Sequence, residues 1–213
     1  MNSLPETVLD LLYPPRCPFC RRLLVKTEKR VCRFCRKRYA GPAVRREVKN
    51  TLGCVAPFSY RDEVRSSIIR YKFWRAAIYG EAYAEFLAKC IDESRFSCDI
   101  ITWVPLSRLR LFSRGYDQAR ILAEATARNL GLPAVRLLKK TRNTRPQSGI
   151  ASAAQRRKNA SGVYCCIAPE AAKGKTILLI DDIVTSGATL AECAAVLKAA
   201  DCAGVYAAAA ASR

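Results

Sequence analysis

The segment ILLIDDIVTSGATL, residues 177–190, is apolar without alternation for four positions and then turns acidic. An unbroken apolar run is what a strand buried on both faces of a parallel sheet requires, so KTILLID at 175–181 reads as such a strand. It delivers two adjacent carboxylates, Asp181 and Asp182, to its C-terminal end. The turn Thr185-Ser186-Gly187-Ala188-Thr189 then opens a helix read over Thr189 to Ala200. In open α/β sheets ligands bind at this edge. Backbone N–H groups at the helix start, with the hydroxyls of Thr185, Ser186 and Thr189, form a cradle for a phosphate, and Gly187 lets the backbone approach it. The two carboxylates would repel that phosphate and suit sugar hydroxyls beside it. Phosphate and diol together describe a ribose phosphate. The plainer alternative is that Asp-Asp caps a turn and Ser-Gly is an ordinary loop.

Outward from this segment the α/β pattern continues. Helices read over 63–74, 79–92 and 116–130, the last ended by Gly131-Leu132-Pro133. DIITWV at 99–104 reads as a buried strand ended by Pro105, 134–138 as a further strand, and 204–210 as the last. Other phosphate motifs fail. Gly174-Lys175-Thr176 imitates the end of a Walker A loop, but Pro169 stands where that loop needs glycine, and the motif precedes its strand.

The first fifty residues differ. A short helix reads over 3–13 and stops at Pro14-Pro15; residues 16–40 are Cys-rich, basic and turn-like. Gly41, Pro42 and Gly53 mark a boundary, which divides the chain into 1–50 and 51–213. Cys17-x-x-Cys20 and Cys32-x-x-Cys35 lie eleven residues apart in a segment with almost no apolar core of its own. Four thiolates on one Zn²⁺ supply the missing staple, and with no ligand position open the metal is structural. Free or redox thiols are the alternative. Four thiolates leave the cluster at about −2, which Arg21, Arg22, Arg33 and Arg36 offset.

Composition excludes several classes. The 213 residues contain no histidine, so no Ser-His-Asp triad, Cys-His dyad or HExxH zinc protease exists here. The eleven cysteines, with no stretch that reads as a signal peptide, imply reduced thiols and a cytoplasmic setting. The longest small-apolar run, 202–211, is too short to span a bilayer, so no membrane insertion is expected. The formal charge of +19 sits in residues 1–169, since 170–213 carry four bases against five acids. A phosphate-rich partner is the natural expectation, and a solvated surface the plain one. From Ala125 to Pro169 there are nine bases and no acid. Arg142, Arg145, Arg156, Arg157 and Lys158 could close over a pyrophosphate, contact single-stranded DNA beside Tyr71, Phe73, Trp74 or Phe112, or form a solvated loop.

The motif IDDIVTSGAT resembles the phosphoribosyl pyrophosphate (PRPP) signature of type I phosphoribosyltransferases. The whole chain is similar to the ComF family of competence proteins. Its features recur in order: LLYPPRCPFC and CRFC; SYRDEVRSSIIRYKF near residue 65; VPLSRLRLFSRGYDQA at 104–119; TRPQSGIASAAQRRKNASGVY at 144–164; and the PRPP loop. The resemblance implies a phosphoribosyltransferase-like parallel sheet flanked by helices behind a four-cysteine, zinc-ribbon-like module, and a link to DNA uptake. It assigns the ribose hydroxyls to Asp181 and Asp182 and the ribose phosphate to Thr185, Ser186, Gly187, Ala188 and Thr189. Pro105, Leu106 and Ser107, in the turn after a strand, would meet pyrophosphate together with Arg114. Asp117 replaces the Asn usual in the family, and Ser107 stands where His is common. An added carboxylate near pyrophosphate calls for compensation by Mg²⁺ or Arg114. PRPP with Mg²⁺ is thus the expected ligand, and single-stranded DNA and a DNA-uptake helicase the expected partners. The alternative is an active transferase of nucleotide salvage type, which displaces pyrophosphate from PRPP with a nitrogenous acceptor.

Overall fold

The computed structural model describes residues 14–73, 76–141 and 162–213. The helix read over 3–13, Trp74 and the basic run from Arg142 to Lys158 lie outside the described residues.

The sheet is built around β7 (Thr176–Val184), in which Ile177, Leu178, Leu179 and Ile180 are fully buried. Alternation sends Leu178 and Ile180 to one face and Ile177 and Leu179 to the other, and each pair belongs to a separate apolar cluster. On one side of β7 runs β8 (Gly204–Ser212), on the other β4 (Ile100–Trp103), both parallel to it. Beyond β8 come β2 (Gly53–Ala56) and then β1 (Val44–Arg46), giving the order β1-β2-β8-β7-β4. Within this sheet, among the described residues, only β1 is antiparallel to its neighbour. A sixth strand, β3 (Phe58–Ser59), continues the line of β2 along β8 after Pro57. Proline has no N–H to give a ladder, so the pairing is interrupted there. The alanine-rich run at 207–211, read as small and apolar, is the buried interior of β8. Among the described residues no helix is long and apolar enough to cross a membrane.

Helix α1 (Arg33–Arg38) belongs to the cysteine-rich segment. Helices α2 (Asp62–Phe73), α3 (Ala76–Glu93) and α5 (Gln118–Leu130) cover the Leu178/Ile180 face, and α7 (Ala188–Lys198) covers the other. Between β4 and α5 lies α4 (Arg108–Arg114), with no buried residue. A short α6 (Pro169–Ala172) precedes β7. Two further strands, β5 (Leu138–Lys140) and β6 (Tyr164–Cys166), form a separate antiparallel ribbon. The strand read over 134–138 is therefore divided: Ala134 bridges to Ile101 beside β4, and pairing resumes only at Leu138. The stretch that reads as a boundary supplies β1 and β2; strands of three and four residues are too short to show a period.

The cysteine-rich segment shares the core of the sheet. Cys17, Phe19, Val31, Cys32 and Cys35 are buried in the same cluster as Ile68, Tyr83 and Leu87. The Phe19 ring lies 4.5 Å from Tyr39, 5.3 Å from Phe58 and 5.9 Å from Tyr83. Arg30 and Arg36 both reach Glu85 on α3, at 2.7 and 2.8 Å. A segment unable to build its own core thus borrows one.

Candidate functional site

Strand β4 pairs with β7 only from Ile177 to Ile180, after which Val104 N–H donates to the Ile180 carbonyl and the chain leaves the sheet at Pro105. Strand β7 runs on to Val184, so Asp181 and Asp182 extend past their neighbour along an open edge. A cleft of about 1450 Å³ occupies that edge. Asp181, Asp182, Thr185, Gly187, Ala188 and Thr189 line it from one side, and Pro105, Leu106 and Arg114 from another. Ser186 and Ser107 are not among the lining residues. The Ser186 hydroxyl accepts from Ala188 N–H at 3.5 Å, and Ser107 is buried, its hydroxyl capping α4 through Arg110 N–H at 3.5 Å.

Consecutive strand residues point to opposite faces, and the two acids differ accordingly. Asp181 accepts from the Asp182 N–H at 2.8 Å. Burial and the neighbouring Asp182 charge push its carboxyl up to about 8, against the opposing pull of that N–H and of Lys72. Asp182 faces α2, where Lys72 Nζ lies 2.9 Å from Oδ2.

At the phosphate loop, Gly187 adopts φ +72°, and a Cβ there would sit 3.0 Å from Val48 Cγ2. Glycine is needed for the left-handed turn and for the close approach to Val48, which follows β1. Arg46 on β1 donates to the carbonyls of Thr185 (2.8 Å) and Arg213 (2.9 Å), which fixes the start of the loop. The opposite wall is cationic. Arg110, Arg114 and Lys140 all line the cleft. Burial and then Arg114 lower the Arg110 pKa; burial and then Arg110 lower that of Lys140, whose ammonium also lies 5.4 Å from the Tyr164 ring centre. Like charges gathered this closely favour an anion between them.

Asp117 does not add a free carboxylate to this wall. It caps α5 by accepting from Arg120 N–H (3.2 Å) and reaches across to Leu106 N–H (3.3 Å), so it ties the Pro105–Leu106 turn to the helix. Burial raises its pKa, and these amides oppose the rise. Gln118 is buried. Its side-chain oxygen accepts from Arg114 at 2.9 Å, and its amide donates to the Lys72 carbonyl at 3.3 Å.

Sequence reasoning missed Lys72, Arg110 and Lys140, and held Gln118 only as the last residue of the RGYDQ run at 114–118. For Lys72 a signal existed: Val64, Ile68 and Tyr71 form the buried stripe of α2, and Lys72, four residues after Ile68, extends it with a charge. The stacking role for Tyr71 is corrected. Its ring is fully buried and its hydroxyl donates to the Gln118 carbonyl at 2.6 Å, so no base can reach it. Phe112 is 92% exposed, and the Phe73 side chain lies outside the described residues.

The cleft continues to Phe19, Cys20 and Arg21. Beside them the sulfurs of Cys17, Cys20, Cys32 and Cys35 lie within 4.8 Å of one another, with Cys20 Sγ 3.6 Å from Cys32 Sγ. Zn–S bonds of ~2.3 Å in a tetrahedron require sulfurs ~3.8 Å apart, so the four fit one Zn²⁺. Burial opposes ionisation of Cys32, but hydrogen bonds from Cys35 and the other thiols bring it down to about 7. Burial pushes Cys17 and Cys35 up, so a cation is needed before all four become thiolates.

Two protein families match the chain: the double zinc ribbon domain over residues 8–46 and the phosphoribosyl transferase domain over 117–213. Competence protein ComFC of Bacillus subtilis is 28% identical over 184 residues, 82% of this chain and 68% of that protein. Competence protein F of Haemophilus influenzae is 27% identical over 146 residues, 65% of this chain and 63% of its own length. Competence protein ComFC of Streptococcus pneumoniae is 28% identical over 187 residues, 87% of this chain and 75% of that protein.

Proposed function

We propose, from the premise that this chain belongs to the ComF family and joins a zinc ribbon to a phosphoribosyltransferase-type domain, that it binds PRPP with Mg²⁺ and serves DNA uptake in competence. One observation carries the reading: twin acids, a helix-opening loop and a cationic wall meet in one cleft at the carboxyl edge of the sheet. The ribose hydroxyls lie on Asp181 and Asp182. The 5-phosphate sits at the amides that open α7, between Thr185 and Thr189. Pyrophosphate, carrying Mg²⁺, meets the Pro105–Leu106 turn, Arg114, Arg110 and Lys140. The competence role rests on the names that the relatives carry, with single-stranded DNA and a DNA-uptake helicase as partners in the cytoplasm.

A second reading has its own support. The cleft runs past the ribose site to the zinc ribbon, which leaves space for a nitrogenous acceptor. Transfer then means holding the ribose while its C1–O bond opens and supplying positive charge to the departing pyrophosphate.

One variant tests the binding reading and its tie to competence. PRPP with Mg²⁺ at 100 times its dissociation constant should stabilise the native chain by ~2.7 kcal/mol. The double change Asp181→Asn, Asp182→Asn should abolish most of that thermal shift and lower transformation frequency in cells that depend on the protein. A native chain indifferent to PRPP would end the binding reading. A variant that no longer binds PRPP but transforms normally would separate binding from competence.

A further inference from the structure

The Lys72–Asp182 pair occupies a place that the ligand needs. Its side chains are 22% and 16% exposed, so this is no solvated surface pair. A sugar hydroxyl that takes Asp182 Oδ2 competes directly with the ammonium, 2.9 Å from that oxygen. Lys72 also lies outside residues 117–213, the part matched by the transferase family.

The backbone beneath Lys72 is fixed. Gln118 donates to its carbonyl at 3.3 Å, Tyr116 donates to the Tyr71 carbonyl at 2.6 Å, and Tyr71 donates back to the Gln118 carbonyl at 2.6 Å. The same Gln118 carboxamide holds Arg114 through its oxygen. Lys72 and Arg114 are thus anchored to the two ends of one amide, and both line the cleft. A lysine is a compact charge on a flexible four-carbon stem, so its ammonium can travel while its backbone stays.

We propose that Lys72 contacts the substrate directly: it holds Asp182 while the cleft is empty, yields that oxygen to the ribose hydroxyls, and moves its ammonium onto the pyrophosphate of PRPP. The inference rests on the PRPP reading above. Electrostatics sets the direction of the move. Hydroxyls on Asp182 satisfy its lone pairs without neutralising the lysine, and pyrophosphate brings several negative charges to a wall already shaped by Arg110, Arg114 and Lys140. In the empty site Lys72 offsets the charge of the Asp182 carboxylate directly.

The test is calorimetric titration of the full zinc-loaded chain with three probes: PRPP with Mg²⁺, pyrophosphate with Mg²⁺, and ribose 5-phosphate. Native protein that ignores PRPP overturns the underlying reading and the inference with it. If native protein binds, Lys72→Met should weaken PRPP and pyrophosphate tenfold or more while ribose 5-phosphate binds as before or more tightly, its acid now freed. Lys72→Arg should retain PRPP affinity within severalfold. A Lys72→Met protein that binds PRPP as tightly as the native chain, or loses all three probes alike, overturns the role of Lys72 and leaves the PRPP site standing. If the Met variant does not fold, Lys72→Gln carries the same comparison.

Discussion

Asp181 carries a carboxyl whose charge the fold resists. Its pKa stands at about 8, against an unfolded value near 3.8. Between those values the folded chain binds the extra proton, so this residue makes stability fall as pH rises from about 4 to 8 and level off above. Asp181→Asn removes that dependence. Unfolding followed in denaturant at pH 5 and pH 9 should show the variant gaining on the native chain at the higher pH, at about 1.4 kcal/mol for each pH unit up to the folded pKa, on the order of 4 kcal/mol in all. A constant difference across that range would mean that Asp181 is ionised in the native state. At this scale the sequence shows residue type better than residue duty. That Asp181, Asp182 and the loop after them stand together at the end of a buried strand could be read, because an apolar run fixes where the strand ends. Ser107 and Asp117 could not, because a hydroxyl or carboxylate caps a helix as readily as it holds a ligand, and only Arg110 N–H and Arg120 N–H decide which.

Helices α3 and α5 meet at Gly80, where an added Cβ would lie 2.6 Å from Ile121 Cγ2 and 3.3 Å from the Tyr71 hydroxyl. Two effects oppose each other in Gly80→Ala. Helix propensity favours alanine by ~1 kcal/mol, while overpacking a tight core costs ~1–3 kcal/mol. The clashing atom is the branch methyl of an isoleucine, stiff at χ1, so packing wins. Gly80→Ala should lower stability by about 1–2 kcal/mol in chemical denaturation, and pairing it with Ile121→Val, which leaves Cγ2 in place, should restore little. A neutral or stabilised variant would mean that the two helices part at little cost. Because Tyr71 reaches Gln118 and Lys72 follows it, the same contact supports the cleft. Long elements such as β7, α5 and α7 could be read from their periodicity and stops. Strands β1 to β3 and helix α4 could not: they are two to seven residues long, and what defines them is their partners, Ser212 and Ala211 for β3 or Ala56 for β1.

The chain reads as two parts, yet the parts share one interior. Cys17, Cys32 and Cys35 lie in the cluster that α2 and α3 build, and Phe19 is enclosed by Tyr39, Phe58, Tyr83 and Phe86. Arg70 on α2 donates to the carbonyls of Pro18 (2.9 Å) and Phe19 (3.3 Å), and Ser67 to Pro18 (2.6 Å), so the first metal knuckle is seated on the helix that ends in Lys72 and Phe73. The spacing of the cysteines predicts a metal site, but nothing in a basic, turn-rich segment announces that the Phe19 ring belongs to another part's core. Losing the metal should therefore reach the cleft. Without Zn²⁺, Cys17 and Cys35 favour their protonated forms, because burial holds both above the ordinary thiol value, and the knuckle loses the geometry that aims Phe19 inward. Cys17→Ser, or the native chain treated with a zinc chelator, should melt in one transition several degrees lower, about 2–4 °C for each kcal/mol lost, and bind PRPP more weakly. Calorimetry that resolved an early, separate transition, with the later one and PRPP affinity both unchanged, would show the ribbon to be an independent unit resting on the sheet.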